Sequence, residues 1–339
     1  MKNNKLISLL LVLTTFLSAE TLVEKARNNA LEPLPNTKTK LFKLIDPNDT
    51  ITDRKVELGK KLYFEPRLSK SGLISCNTCH NLAMGGADGV SAAVGHKWTA
   101  NPHHLNSPTV YNAVLASSQF WDGRSPHLED QAQGPMQAGP EMASPKNLVV
   151  QRINSIPQYV EEFKMAYGSD VNIDFELITS TIGIFERVLV TPSNYDDFLN
   201  GDEDALFPEE KEGLHSFIDN GCATCHSGVA LGGKMMPFPV YEKYTYANVG
   251  DFKGDKNGMV KVPTLRNITQ TAPYFHNGAV WSLSEAIKEM GRTQLGKEIS
   301  NEDVEKIKIF LGSLEGRKPY ITYPLLPSST DSTPKPEMN

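Results

Sequence analysis

Apolar positions recur at helical spacing in several stretches of the chain, and long segments without any period separate them. Arg54 to Phe64 predicts a helix with Leu58 and Leu62 on one face. Ser144 reads as an N-cap with Pro145 at the first helical position, opening a short helix through Ile153. Pro157 to Tyr167 predicts a second helix ended by Gly168, and Asp174 to Val190 a longer apolar one that stops at Thr191-Pro192. Pro208 to Asp219 predicts another, running through Gly221 into Cys222. Ser300-Asn301-Glu302-Asp303 resembles a capping start for a helix to Leu314, with Val304, Ile307, Leu311 and Leu314 aligned. Residues 66–140 and 227–280 lack a period and hold most of the Gly, Pro, Asn and His. Loops of that length inside a compact domain are usually functional. Any β-structure should be short, so the expected fold is mainly α.

The polar, acidic stretch between Thr191-Pro192 and Phe207-Pro208 is the natural boundary in a chain of 339 residues, long enough for two modest cores. The organisation read from this is residues 1–19 as a signal peptide, 20–195 and 196–318 as two domains, and 319–339 as a tail. From Tyr323 onward the tail is rich in Pro, Ser and Thr, which predicts a poorly ordered or draped extension. At the other end Lys2 and Lys5 precede an apolar run from Leu6 to Leu17, and Leu17-Ser18-Ala19 suits cleavage before Glu20. The run is short of the ~20 apolar residues that span a bilayer, so export with cleavage is expected over a retained anchor. Loss of the two lysines takes the formal charge from −6 to −8. That balance excludes nucleic acid as a partner and suits a soluble periplasmic protein with a positively charged protein partner.

Cysteine use changes the picture most. The four cysteines form two identical patterns, Cys76-Asn-Thr-Cys79-His80 and Cys222-Ala-Thr-Cys225-His226. Cys-x-x-Cys-His is the signature of covalent c-type haem attachment: two thiols form thioethers with the porphyrin vinyl groups, and the next residue offers an imidazole to the iron. Zinc binding or a thioredoxin-like disulfide would not require a histidine directly after both pairs. Two haems, one in each half, follow, and the unpatterned loops gain a rigid body to pack on.

Around these motifs the chain carries Gly95-His96, Asn106-Ser-Pro-Thr109, Phe120-Trp-Asp-Gly-Arg124, Gln131-Ala-Gln-Gly-Pro135, Gly139-Pro-Glu-Met142, Pro263-Thr-Leu-Arg-Asn267, Ala272-Pro-Tyr-Phe-His-Asn-Gly278, and Met290 ahead of Gln294-Leu-Gly296. In this order, over nearly all of the expected mature chain, they resemble the bacterial di-haem cytochrome c peroxidases. The resemblance implies two cytochrome c-like domains. It implies that His80 is the proximal ligand of a low-potential haem, with His96 as a sixth ligand that leaves on activation. His226 and Met290 then ligate a high-potential haem, which a thioether suits. His103 and His104 compete with His96 only by nearness in sequence, and a surface loop is the preferred reading for them. His276 is expected near the second haem, to switch or tune it.

The same resemblance makes Glu141 the acid/base group for peroxide and Gln131 the amide that holds it. Trp121 would lie on the electron path between the haems, and Arg124 would pair with a propionate. A calcium ion between the domains would use Asn106 and the carbonyls of Thr271 and Pro273. The implied activity is reduction of hydrogen peroxide with electrons from a small c-type cytochrome or cupredoxin, in a homodimer without a membrane span. Two alternatives stand beside it. A two-haem electron carrier would leave Glu141, Gln131 and a dissociable His96 without purpose. A di-haem enzyme that oxidises a partner protein would have Tyr where Met290 stands.

Overall fold

The computed structural model describes residues 20–338; the expected signal peptide lies outside them. Among the described residues no helix is long and apolar enough to cross a membrane. The architecture is helical with long loops. One two-stranded antiparallel sheet pairs Met235–Pro237 with Met259–Lys261, in a register that sets Met235 opposite Lys261.

Each half is organised around one helix crossing. In the first, Asp53–Tyr63 packs on Phe175–Arg187. The Thr52 and Asp174 side chains cap the two helices by accepting from Lys55 N and Leu177 N. Leu58, Leu62, Ile178, Ile182 and Phe185 fill the contact, and a methyl at Gly59 would collide with the Thr181 carbonyl. In the second half Pro208–Asp219 crosses Asn301–Gly312, which Ser300 caps, over Leu214, Phe217, Ile307 and Phe310. Gly213 sits there against the Lys306 carbonyl as Gly59 does against Thr181. Backbones approach this closely only where one helix lacks a side chain. Both crossings sit beside a Cys-x-x-Cys-His motif, on the short helices Cys76–Cys79 and Cys222–Thr224.

The structure departs from the sequence expectations in four places. Pro145 has extended backbone and stands ahead of the first turn of Lys146–Asn154, so it is not the first helical residue. The helix from Phe175 stops at Arg187, short of Val190, because the backbone leaves it to bond across the molecule: Leu189 O accepts from Asn112 N, and Thr191 N donates to Asn112 Oδ1. The acidic stretch at 192–207 is not a solvated linker. Ser193 caps the helix Asn194–Leu199, which buries Tyr195, Phe198 and Leu199 in the second core, with Leu206 following. Finally, the two ends of the chain exchange sides. The helix Leu22–Asn28 and the turn after it place Ala26 and Leu31 in the second core, although the sequence reading counts them with the first half.

The tail is draped. Ile321 and Leu326 pack on the first core, and Tyr323 meets Phe64 edge-on with ring centroids 4.8 Å apart. Its anchor is Arg152, a buried guanidinium that donates to the carbonyls of Arg67, Ser69, Lys70, Pro334 and Lys335. Each buried carbonyl left without a donor costs ~1–3 kcal/mol. Arg152→Met is therefore expected to destabilise the protein by several kcal/mol and to free residues 319–338. Limited proteolysis with mass mapping should cut there first in the variant; an uncut tail would show that the clamp is not what holds it.

Candidate functional site

Both attachment motifs open on one cavity of about 670 Å³. Cys79 and His80 line it from the first half; Cys222, Cys225, His226 and Met290 line it from the second. The walls between are largely apolar, including Leu105, Val110, Phe252 and Ile268. The four cysteines form no disulfide. Burial pushes all four thiols up, Cys222 to about 11, so they are protonated. No group of three or more His, Cys, Asp or Glu among the described residues is arranged to hold a metal ion. A thiolate-bound zinc is poorly served here, and a flat apolar cofactor well served.

The two motif histidines have matching environments. His80 Nδ1 lies 2.9 Å from Pro108 O, and His226 Nδ1 lies 3.3 Å from Leu231 O. A carbonyl can only accept, so Nδ1 carries the proton and Nε2 keeps its lone pair. Burial lowers both pKa values, His226 to about 4, and holds the imidazoles neutral. Met290 lies on the helix Leu283–Leu295, capped by Ser282, and packs against the aromatic cluster of Tyr244, Tyr274 and Phe275.

Glu141 and Gln131 both line the cavity. Glu141 belongs to the first side: its charge acts on the Cys79 thiol. Burial raises the Glu141 carboxyl above the usual carboxylate range, and Arg124 partly opposes this. Arg124 is exposed, stacks on the Phe120 ring at 3.5 Å and pairs with Asp122 at 2.7 Å. Trp121 is buried between the halves; its Nε1 donates to Asn106 O at 3.0 Å, and its carbonyl accepts from Lys261 N at 2.8 Å. Asn106, Thr271 and Pro273 all line the cavity, and among the described residues the carbonyls of Thr271 and Pro273 accept no hydrogen bond.

His96 is placed apart from this group. Gly95 lines the cavity but His96 does not; the His96 ring is buried with Nδ1 unpartnered. Its N–H donates to Glu141 O at 2.6 Å, and a Cβ on Gly95 would stand 2.7 Å from Glu141 Cα. The next two residues, Lys97 and Trp98, both have left-handed backbone, φ 60° and 56°. Such non-glycine residues carry ~1–2 kcal/mol of strain each. His103 is exposed and pairs with Asp251, while His104 Nδ1 bonds Asn277 O.

Two cavity residues, Glu186 and Lys261, escape sequence reasoning, whereas His276 is one the sequence singles out. His276 is ringed by Trp121, Phe238, Tyr244 and Phe252, and burial lowers its pKa to about 4. Glu186 is pushed up to about 8 by burial, with Oε2 unpartnered. Lys261 is a buried ammonium. Only burial distinguishes Glu186 and Lys261 from ordinary polar residues, and burial is not written in the sequence.

Residues 53–204 match the family model described as di-haem cytochrome c peroxidase. The chain is 43% identical over 343 residues to a cytochrome c551 peroxidase from Pseudomonas aeruginosa, covering 97% of this chain and 96% of that one. It is 46% identical over 288 residues to a cytochrome c551 peroxidase from Nitrosomonas europaea, covering 82% and 85%. Among solved structures it resembles a MauG-like protein associated with microbial copper homeostasis, with a TM-score of 0.68, 25% identity, and 78% and 90% coverage. With two haem-attachment patterns opening on one cavity and near full-length likeness to named peroxidases, the chain belongs to the di-haem cytochrome c peroxidase family.

Proposed function

We propose that the chain reduces hydrogen peroxide on its first side, and that a small reduced c-type cytochrome or cupredoxin delivers electrons on its second. The overall change is H2O2 plus two electrons and two protons to two waters. The observation that carries the division is the asymmetry of the cavity: Glu141 acts on the Cys79 side, whereas a thioether, Met290, lines the other.

Cys76 and Cys79 would hold one haem and Cys222 and Cys225 the other, through thioethers, with His80 and His226 offering Nε2 to iron. Haem so held supplies an iron that can bind peroxide and a store for one electron. Glu141 takes the proton from the near peroxide oxygen and returns it to the leaving oxygen. Gln131 orients the peroxide without titrating. Met290 keeps the second site closed to small ligands and favours its reduced form. Trp121 gives the electron an indole at the seam, and Arg124 is free to exchange Asp122 for a propionate.

His96 serves as the displaceable ligand of the first site. The two left-handed residues after it carry strain that a rearrangement of this loop would release, at the cost of the hydrogen bond to Glu141 O. Asn106 and the unengaged carbonyls of Thr271 and Pro273 suit a calcium ion, a hard cation that prefers oxygen. The family's usual homodimer, and a mature periplasmic form beginning at Glu20, complete the reading. Its net charge of −8 with residues 1–19 removed favours a basic donor.

Covalent attachment predicts two haems per chain on a denaturing gel stained for peroxidase activity, falling to one in Cys76→Ser/Cys79→Ser. Glu141→Gln should lower turnover ~10²–10⁴-fold while the visible spectrum stays unchanged. Because burial raises the Glu141 pKa, the base is lost at a higher pH than a free carboxylate would allow. The acid limb of kcat/KM should then fall above ~4.3 in the wild type and be absent in the variant. Near wild-type turnover of Glu141→Gln would remove the carboxylate from the mechanism. Met290→His should lower one of two reduction potentials, read by spectroelectrochemical titration, and leave the other in place.

A further inference from the structure

Arg124 and Lys261 both line the cavity, and they are placed very differently. Arg124 is exposed and held by Asp122. Lys261 is only 8% exposed, and its ammonium has no hydrogen-bonded or ion-paired partner among the described residues. Asp122 acts on it through space alone, and burial lowers its pKa to about 8. The ammonium is not sealed in the protein interior but opens on the cavity, where an anion can meet it. The main chain at Lys261 is tied down on both sides. Lys261 ends the strand Met259–Lys261, opposite Met235; its N–H is bonded to Trp121 O; and Val262 N is bonded to Lys234 O.

We infer that Lys261 binds a haem propionate at the seam between the two sites and sets the reduction potential of the haem that carries it. This rests on the haem reading above. The anion must enter with the cavity's own occupant, because the walls are mostly apolar and the one acid that acts on Lys261, Asp122, is engaged by Arg124. Porphyrin brings two carboxylates of the required chemistry. Lys261 comes from the second half and bonds through its backbone to Trp121 of the first, so its charge stands on the electron path. A cation beside one haem favours the reduced form, which carries one positive charge fewer.

The test compares wild type, Lys261→Gln and Lys261→Arg as holoproteins, by haem stain and by spectroelectrochemical titration of both haems. Retained haem with one midpoint potential shifted downward in Lys261→Gln, and restored by Lys261→Arg, supports the assignment. Two unshifted potentials in Lys261→Gln overturn it, and so does a shift that arginine fails to restore. Wild-type protein without covalent haem would instead overturn the underlying reading, so the two failures are distinguishable. If Lys261→Gln does not fold, Lys261→Met, which also removes the charge, decides. An altered propionate contact must move one potential and spare the other, and two unmoved or equally moved potentials overturn the inference.

Discussion

The salt bridge between Arg266 and Asp196 ties together the separate segments that build the second half of this molecule. Both side chains are buried, and the guanidinium grips the carboxylate twice, at 2.8 and 2.7 Å. Asp196 also accepts from Leu34 N and Ser193 N, while Arg266 Nε donates to Val229 O. One pair thus joins the N-terminal segment, the crossing between the halves, and the loop after the second attachment motif. The next residue extends the junction. Asn267 Nδ2 and Asn112 Nδ2 both donate to Thr191 Oγ1, and Asn267 Oδ1 accepts from Gly316 N. Breaking a buried pair leaves an uncompensated charge at ~3–5 kcal/mol. Through Thr191 the junction reaches Asn112 of the first half, which lines the shared cavity.

That cavity is chemically uneven. The thiols are kept protonated and the motif histidines neutral by the same desolvation, which suits covalent attachment and nitrogen ligation together. The first side holds a carboxyl raised by burial; the second offers a polarisable sulfur. Trp121 lies between, with its indole N–H and its carbonyl both engaged, so its ring is held against rotation. Nothing in this arrangement requires large motion except at residues 95–98, where strain and an unpartnered nitrogen coincide.

Much of this was legible in the chain. Helices such as Pro157–Tyr167, opened by its proline and ended by Gly168, and Asn301–Gly312, capped by Ser300, follow from local signals, because start, apolar stripe and stop lie close together in the chain. The attachment motifs were legible because their chemistry dictates their spacing. The segment at 192–207 was not. Its acids look solvated until Arg266, 70 positions away, is seen to neutralise Asp196. The exchange of the chain ends was equally hidden, since Leu22–Asn28 and Ile321 carry no mark of the core they join. Lys261 and Glu186 are single charged residues, and a linear reading places such residues at the surface.

The Arg152 clamp has a consequence for the order of folding. Arg67, Ser69 and Lys70 lie ahead of Arg152, whereas Pro334 and Lys335 lie more than 180 positions after it, so the guanidinium completes its set of acceptors only when that distant segment folds back. The loop that leads to Cys76 takes its last fastening there, and any modification of Cys76 and Cys79 that precedes this docking meets a looser segment.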